Sequence, residues 1–224
     1  MIHLPFADRL EAGKLLAVEL SGRKLSDAVV VALARGGVPV GFAVAHRLGL
    51  LLDVLVARKP GVLWQRELAM GAIAGTARVS NEGLLADLGV SAEEVEMAIA
   101  REQSEMKRRD GLDREGQPAV DFSGKTAILV DDGLATGSTM LASLRHVRNV
   151  RAAKAIVAVP VGSRDACDHL RREADDVVCL ATPEFFYAVG EWYRDFHQVS
   201  DNEVRDLLAE SRVRFAKPEA TMAN

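Results

Sequence analysis

The feature that most constrains the fold is a regular alternation of short apolar runs with segments of helical periodicity. The apolar runs are dominated by aliphatic residues, which is typical of strands buried on both faces of a sheet. They lie at residues 27–37, 52–61, 126–130, 153–161 and 176–181. Between them, apolar residues recur at helical spacing at residues 8–20, 38–49, 138–149 and 164–174. The alternation predicts an α/β fold, with a mainly parallel sheet and helices on both of its faces.

The length of the chain suits one domain, because 224 residues can bury a substantial core. No repeat, low-complexity stretch or linker divides the sequence, so we expect a single domain over residues 1–224. Ser91 and Glu94 form a capping-box pattern that predicts a helix from there to about Arg109. A short helix near residues 201–210 is expected to close the fold, followed by a loose tail at residues 211–224.

Charge and hydropathy argue against several classes of function. The net charge of −4 and the pI near 5.8 provide no basic field for the phosphates of a nucleic acid. The longest apolar stretch, residues 48–57, is too short to cross a membrane and is interrupted by Asp53. No basic region with an apolar core follows Met1, so we expect a cytoplasmic protein. The cysteines and histidines lack the spacing of a disulfide framework or a metal site.

The segment most informative about function is "TAILVDDGLATGSTM", residues 126–140. Asp131 and Asp132 follow an apolar strand directly, at the end of a parallel sheet where ligands bind. The small residues after them open a helix, where free backbone amides make an anion site. Glycine allows a phosphate to approach the backbone closely, and hydroxyl groups add donors. These loop residues are Gly133, Ala135, Thr136, Gly137, Ser138 and Thr139.

The two acids suit a ligand that has hydroxyl groups near its phosphate. Carboxylates would repel a phosphate, but they would bind a polyol or a hydrated Mg²⁺. A ribose 5-phosphate has a phosphate at one end and neighbouring hydroxyl groups on its ring. The loop lacks the lysine of a P-loop and the pattern of a dinucleotide site. The alternative interpretation is that Asp131 and Asp132 only cap a turn and that the loop only connects a strand to a helix.

This segment closely resembles the phosphoribosyl diphosphate (PRPP) signature of type I phosphoribosyltransferases, in which a hydrophobic strand is followed by two acids and x-x-x-T-G-x-T. The resemblance implies that Asp131 and Asp132 bind the ribose hydroxyls and take part in Mg²⁺ binding. It also implies that residues 135–139 bind the 5-phosphate, and that the fold is that of the family, with a small C-terminal hood.

The resemblance extends to "ALARGGVPVG" and "ARKPG" upstream. It implies that Arg35, Gly36 and Gly37 surround the pyrophosphate with backbone amides. It also implies that Arg58 and Lys59 carry positive charge toward the pyrophosphate. The alternative for Arg58 and Lys59 is a solvated strand end.

The reaction implied by the resemblance is Mg²⁺-dependent displacement of pyrophosphate from C1 of PRPP by a ring nitrogen of a base. Residues 60–80 show no firm periodicity, although "MGAIAG" is consistent with a hairpin, and we expect a flexible loop that closes over the site. Glu67 in this loop is the candidate general base. Ala135 replaces the acidic residue typical of enzymes that act on 6-oxopurines. Alanine at this position is seen in the adenine and orotate branches.

The aromatic segment at about residues 183–200 would form the hood over the base. The resemblance makes Phe185 a stacking ring, and we include Tyr187 and Trp192 as candidate base contacts. The alternative is that these rings form a core plug under the C-terminal helix. We also expect a homodimer.

Three alternative functions can be compared with this reaction. The first is a non-enzymatic regulator that senses PRPP or a nucleotide on the same fold. The second is a phosphatase or receiver-type domain, which would place its acids after the first core strand; here that strand ends in "ARGG". The third is a PRPP-dependent enzyme outside nucleobase salvage.

Overall fold

The protein was analysed as a computed structural model, which describes residues 3–62, 64–114 and 117–216. The helices are α1 (Arg9–Leu20), α2 (Gly37–Leu48), α3 (Glu82–Asp87), α4 (Ala92–Arg114), α5 (Ser138–Asn149), α6 (Arg164–Arg171) and α7 (Asp201–Ala216). The strands are β1 (Ala28–Ala34), β2 (Leu51–Arg58), β3 (Gly61–Val62), β4 (Gln65–Ala69), β5 (Gly71–Ala74), β6 (Ala77–Ser80), β7 (Thr126–Val130), β8 (Lys154–Val161) and β9 (Asp176–Ala181). A 3₁₀ turn covers Val189–Trp192.

The central sheet has seven strands in the order β6-β5-β2-β1-β7-β8-β9. The five strands from β2 to β9 in this order are parallel, and the β5–β6 hairpin is antiparallel. Apolar residues of α1, α2 and α7 cover one face, and those of α5 and α6 cover the other. The predicted mainly parallel sheet with helices on both faces is therefore confirmed.

Local sequence signals explain where several helices begin and end. Asp8 caps α1 by accepting a hydrogen bond from the amide of Glu11 (2.7 Å). Gly49, with φ of +67°, ends α2 in the left-handed conformation that glycine favours. The predicted capping box at the start of α4 is confirmed, because Ser91 and Glu94 exchange hydrogen bonds.

Helix α4 is longer than predicted, and a buried ion pair holds its far end. Arg114, the last residue of α4, pairs with Asp53 of β2 and donates to the carbonyl of Val54 at 2.5 Å. The other carboxylate oxygen of Asp53 accepts from the amide of Val120 (2.8 Å). Both charged side chains are buried. The polar residue that interrupts the apolar run of β2 is thus an anchor for the crossover between β2 and β7.

The segment at residues 60–80 is more regular than expected. The hairpin of β5 and β6 extends the main sheet from the carboxyl end of β2, through pairs such as Arg58 with Ile73. A second hairpin, β3–β4, pairs only with itself within the described strands. These strands have two to five residues, too few to give a readable alternation. The expectation of a long irregular stretch was therefore wrong, whereas the hairpin suggested for "MGAIAG" is confirmed, since this segment contains β5.

The C-terminal region also differs from the expectation. Helix α7 continues to Ala216, so the predicted loose tail was wrong for residues 211–216. Ser211 of this helix is buried. The rest of the predicted tail, residues 217–224, lies outside the described residues. In the described part of the chain, none of the helices has the length and apolar character needed to cross a membrane.

Candidate active site

The topology places a crevice between the carboxyl ends of β1 and β7. These two strands are neighbours in the sheet. The helix that follows β1 lies on one face of the sheet, and the helix that follows β7 lies on the other. Such a switch point leaves an open crevice beyond the strand ends, where α/β proteins bind ligands. The residues in this crevice are those that follow β1 and β7, which include both predicted motifs.

The glycines after β1 touch the two acids after β7. A Cβ atom added to Gly36 would lie 2.1 Å from Asp132 Oδ2, and one added to Gly37 would lie 2.9 Å from the Cα atom of Asp131. These distances are far below any normal contact, so only glycine allows this approach. The structure therefore brings together the R-G-G turn and the acidic pair, which are far apart in sequence.

Asp132 is held by a buried arginine, Arg9, which the sequence analysis did not assign to the site. Arg9 Nε lies 2.9 Å from Asp132 Oδ2. The same guanidinium donates from Nη1 to the carbonyl of His197 (2.9 Å) and stacks on the ring of Phe196, with Cζ 3.8 Å from the centroid. The hydroxyl of Tyr193 donates to the backbone carbonyl of Asp132 at 2.6 Å. Asp132 is thus fixed by both the N-terminal helix and the hood.

Asp131 has no ion-pair partner among the described residues. Its Oδ1 atom accepts a hydrogen bond from the amide of Asp132 (2.9 Å), and Oδ2 has no hydrogen-bond partner within the described residues. Burial raises the pKa of Asp131 well above its usual value, and the charge of Asp132 raises it further, while Lys59 and Arg9 oppose the rise. Burial also raises the pKa of Asp132, against the effect of Arg9. A bound cation or a set of hydroxyl donors would offset this cost of ionising Asp131.

The loop after the acids presents backbone amides and hydroxyl groups at the start of α5. Gly137 has φ of +73° and precedes α5, whose first amides have no partner within the helix. The hydroxyls of Thr136 and Ser138 lie 3.1 Å apart. The loop rests on the turn after β8, since Ser163 Oγ donates to the carbonyl of Ala135 (2.7 Å).

A cavity of about 520 Å³ opens between this loop and helix α4. Thr139, Lys59, Arg58, Arg101 and Glu102 are among the residues that line it. Arg58 is tied to α4, with Nε 2.8 Å from Glu102 Oε2, whereas Lys59 is exposed. The cavity is therefore mainly cationic, which suits the phosphates of a ligand.

Arg35 lies in the turn between β1 and α2. Its guanidinium is turned toward the start of α7, where Nη1 lies 3.2 Å from Asp201 Oδ1. Arg109 Nη1 lies 3.6 Å from the same carboxylate atom. The peptide bond between Ala34 and Arg35 is cis. The interpretation of residues 35–37 as backbone donors is compatible with this arrangement.

The candidate general base, Glu67, lies on β4 and is exposed. Its neighbour Leu68 packs against Val62, Met70 and Ala98, so Glu67 is on the opposite, solvent-facing side of the hairpin. The structure does not bring Glu67 into contact with the acidic pair.

The candidate base contacts in the hood fall into two groups. Phe185 and Tyr187 are 67% and 80% exposed. Trp192 instead stacks on Phe186 at 6.3 Å, and its Nε1 atom is enclosed without a partner among the described residues. Val189 contacts the acid loop, where a Cβ added to Gly133 would lie 2.6 Å from its Cγ1. Phe185 and Tyr187 are accessible to a ligand, whereas Trp192 is part of the packing.

The sequence did contain one signal for Arg9. It is a basic residue in the first turn of a helix, where the helix dipole disfavours positive charge. A buried acid nearby compensates for this. Tyr193, which binds the backbone of Asp132, carried no comparable signal.

Comparisons with known proteins show the family of the chain. A family model described as "Phosphoribosyl transferase domain" matches residues 8–197. Two curated proteins of Mycobacterium tuberculosis, from strains CDC 1551 and H37Rv, are both named "Putative phosphoribosyl transferase" and are 42% identical to the chain over 213 residues. The crystal structure of TT1426 from Thermus thermophilus is similar to the chain, with a TM-score of 0.79 and 38% identity, and the match covers 92% of this chain and 99% of that one.

The matches differ in how much of each relative they cover. The alignment with the two mycobacterial proteins includes 95% of this chain but 48% of each relative. The chain therefore spans about half the length of the curated relatives it matches.

Proposed function

The chain belongs to the phosphoribosyl transferase domain family, and we propose that it transfers the 5-phosphoribosyl group of PRPP to a nitrogenous base and releases pyrophosphate. The observation that carries this proposal is the contact of Gly36 and Gly37 with Asp131 and Asp132. It places a turn of backbone donors beside two carboxylates and the small-residue loop. The crevice thus offers neighbouring subsites for a pyrophosphate, a ribose and a 5-phosphate.

Each part of PRPP has a matching group in the crevice. The amides of residues 135–139 and the hydroxyls of Thr136, Ser138 and Thr139 bind the 5-phosphate. The acidic pair accepts hydrogen bonds from the ribose hydroxyls, and the backbone of residues 35–37 binds the pyrophosphate. Lys59 and Arg58 add positive charge on the cavity side. The alternative that Asp131 and Asp132 only cap a turn does not account for the Gly36 contact.

The donor set fits Mg²⁺ as a partner of the substrate's phosphates. In the described ranges, no three His, Cys, Asp or Glu side chains form a group that would hold a metal alone. Protein Mg²⁺ sites commonly consist of one or two carboxylates, waters and substrate phosphates. Asp131 would hold Mg²⁺ through its open Oδ2, and Asp132 through water. When bound, Mg²⁺ would neutralise charge on the leaving pyrophosphate.

The residues of this chain stabilise departure of the pyrophosphate and protect the ribose. Loss of the leaving group makes C1 resemble an oxocarbenium ion, as in glycoside cleavage. The carboxylate of Asp131 would lie beside the ribose, where its negative charge would favour that positive centre. The β3–β4 hairpin, which pairs outside the main sheet, is the element that we propose to exclude water. Glu67 lies on this hairpin, and we propose it as the general base.

The test is a panel of nucleobases with PRPP and Mg²⁺, followed by pyrophosphate release. Asp131→Asn is the matched inactive variant, and we expect its turnover to be about a hundredfold lower, the scale of losing one preorganised polar group. Asp27→Asn, which changes an exposed acid at the amino end of β1, should leave turnover unchanged. Release at equal rates from the wild type and Asp131→Asn would contradict the proposal. PRPP binding without release for any base would favour the regulator.

A further inference from the structure

The cavity between the small-residue loop and α4 continues the candidate active site along the same edge of the sheet. Ala57, Arg58 and Lys59 line it at the carboxyl end of β2. Strand β1 lies between β2 and β7 in the sheet. The turn after β1 therefore has the acids that follow β7 on one side and this cavity on the other. A ligand that extends from the acids past the turn reaches the cavity.

Helix α4 contributes to this cavity an arginine that no acid neutralises. The other three arginines of α4, which are Arg108, Arg109 and Arg114, each form an ion pair with an acid. Arg101 has no ion pair in the described parts of the chain. Glu105, one turn further along the helix, instead binds Arg108 and Arg109 through both of its carboxylate oxygens.

Arg101 lies on the side of α4 that borders the cavity. Ala98, Arg101 and Glu102 all line the cavity, and residues three and four positions apart share one face of a helix. Glu102 is the acid of this face, but its Oε2 atom lies 2.8 Å from Arg58 Nε. Arg58 and Glu102 thus neutralise each other. The cations of this cavity that lack an ion-pair partner among the described residues are Lys59 and Arg101.

We propose that Arg101 is a pyrophosphate-binding residue, which contacts the leaving group of PRPP from α4. This inference rests on the proposed function. It adds a residue of the crossover helix to a site otherwise built from the strand ends and the turns that follow them. A guanidinium can donate two parallel N–H groups to phosphate oxygens, and a pyrophosphate offers several such oxygens.

The positions of the other polar groups favour the pyrophosphate over the 5-phosphate as the ligand of Arg101. Thr139 also lines the cavity, but the 5-phosphate already has the amides and hydroxyls of residues 135–139. Lys59 is close enough to Asp131 to oppose the rise in the pKa of that carboxyl, so the cavity begins beside the proposed ribose site. The leaving pyrophosphate carries the larger charge and needs more than one free cation. Arg101 would supply the second.

The hairpin that we propose as a lid borders the same space. Gly61, the first residue of β3, lines the cavity, and Val62 packs with Ala98 of α4 in one apolar cluster. A pyrophosphate bound by Arg101 would therefore lie next to the base of the hairpin. Closure of the hairpin would strengthen the contact by excluding water from it.

The experiment measures PRPP binding by titration calorimetry in buffer with Mg²⁺, and then the displacement of PRPP by inorganic pyrophosphate or by ribose 5-phosphate. Arg101→Gln should weaken the binding of PRPP and of pyrophosphate by about tenfold, the scale of losing a hydrogen bond to a charged group. Ribose 5-phosphate, which lacks the group that Arg101 contacts, should bind within about twofold of the wild type. Arg101→Lys keeps the charge without the planar pair of donors, and its affinities should fall between those of the wild type and Arg101→Gln.

The matched control is Lys107→Gln. Lys107 is an exposed residue of the same helix and does not line the cavity. Its substitution removes the same charge from the protein, so it measures the effect of net charge alone. We expect its affinities for all three ligands to stay within about twofold of the wild type. Arg101 is also exposed, so Arg101→Gln should keep the melting temperature of the wild type.

The possible failures are distinguishable. If the wild type binds PRPP and Arg101→Gln binds PRPP or pyrophosphate equally well, the role of Arg101 is overturned while the proposed function stands. Equal losses for pyrophosphate and ribose 5-phosphate would also overturn it, as would equal losses in Lys107→Gln and Arg101→Gln. Failure of pyrophosphate to displace PRPP from the wild type would have the same meaning. If the wild type does not bind PRPP, both proposals are overturned.

Discussion

Gly36 and Asp132 are in direct contact: a Cβ atom at residue 36 would lie 2.1 Å from Asp132 Oδ2 and 2.7 Å from its Cγ. The turn after β1 and the acids after β7 therefore form one unit and not two separate loops. Because Arg9 holds the same carboxylate at 2.9 Å, the side chain of Asp132 has no easy way to move aside.

Gly36→Ala should therefore damage the site without disturbing the backbone. Gly36 has φ of −59°, a conformation that alanine adopts readily, so the only new strain is the collision with Asp132. We expect turnover to fall by about a hundredfold, as for other small displacements of catalytic groups. Pyrophosphate release measures the effect. Gly22→Ala is the control, since a Cβ there meets nothing within 4 Å. Turnover at the wild-type rate in Gly36→Ala would show that the contact is not needed.

The fold could be predicted from the sequence because its signals are local. The apolar run of β7 is followed directly by Asp131, so the strand and the site residue are specified within a few positions. Arg9 could not be placed in this way. Its contact with Asp132 joins residues 123 positions apart and depends on the packing of the hood against α1. Periodicity carries no information about such a pair.

The positions of the aromatic side chains in the hood could not be predicted from the sequence either. Phe185, Tyr187 and Trp192 are equally aromatic in the sequence, yet the structure exposes the first two and packs the third against Phe186. Only tertiary packing distinguishes them. The segment "MGAIAG" was compatible with a hairpin, but the bounds of β5 and β6 could not be predicted, since four residues each give too little alternation to separate a strand from a loop.

Lys59→Ala should reduce turnover more than Arg58→Ala. Lys59 is exposed and close enough to Asp131 to oppose the rise in its pKa, while Arg58 is held by Glu102. We expect about a tenfold or larger loss of kcat for Lys59→Ala, and a smaller loss for Arg58→Ala, since only the former cation is free to follow the leaving group. Steady-state kinetics checks this. Lys24→Ala, at an exposed lysine before β1, provides the control. A larger loss of kcat for Arg58→Ala than for Lys59→Ala would contradict the assignment of Lys59 as the cation that follows the leaving group.

Asp53→Asn should destabilise the fold strongly, because the guanidinium of Arg114 would lose its buried partner and keep only the partly exposed Asp110. Removing one member of a buried ion pair costs about 3–5 kcal/mol. Urea denaturation measures the change in the free energy of unfolding. Asp176→Asn breaks the more exposed pair with Arg23, and we expect a cost of less than about 1 kcal/mol. Similar losses in the two variants would show that burial does not set the strength of the Asp53–Arg114 pair.

The β3–β4 hairpin should be the locally unstable part of the region expected to form a lid. Strand β5 is paired on both sides, with β2 and β6, whereas β4 pairs only with β3 among the described strands. We expect amides of β4 to exchange with deuterium faster than those of β5. PRPP with Mg²⁺ should slow exchange in β4 and leave β5 unchanged. Equal protection of both strands without ligand would show that β4 is not part of a lid.

The hydrogen bond from Arg9 to the carbonyl of His197 joins residues 188 positions apart. A contact that closes so much of the chain forms late, since its entropy cost is repaid only after the sheet and helices have assembled. During synthesis, both acids leave the ribosome well before His197 exists. The sheet and the helices therefore form before this contact at the site. The orientation of Arg9 against Asp132 is complete only when α1 has packed against the segment that contains His197.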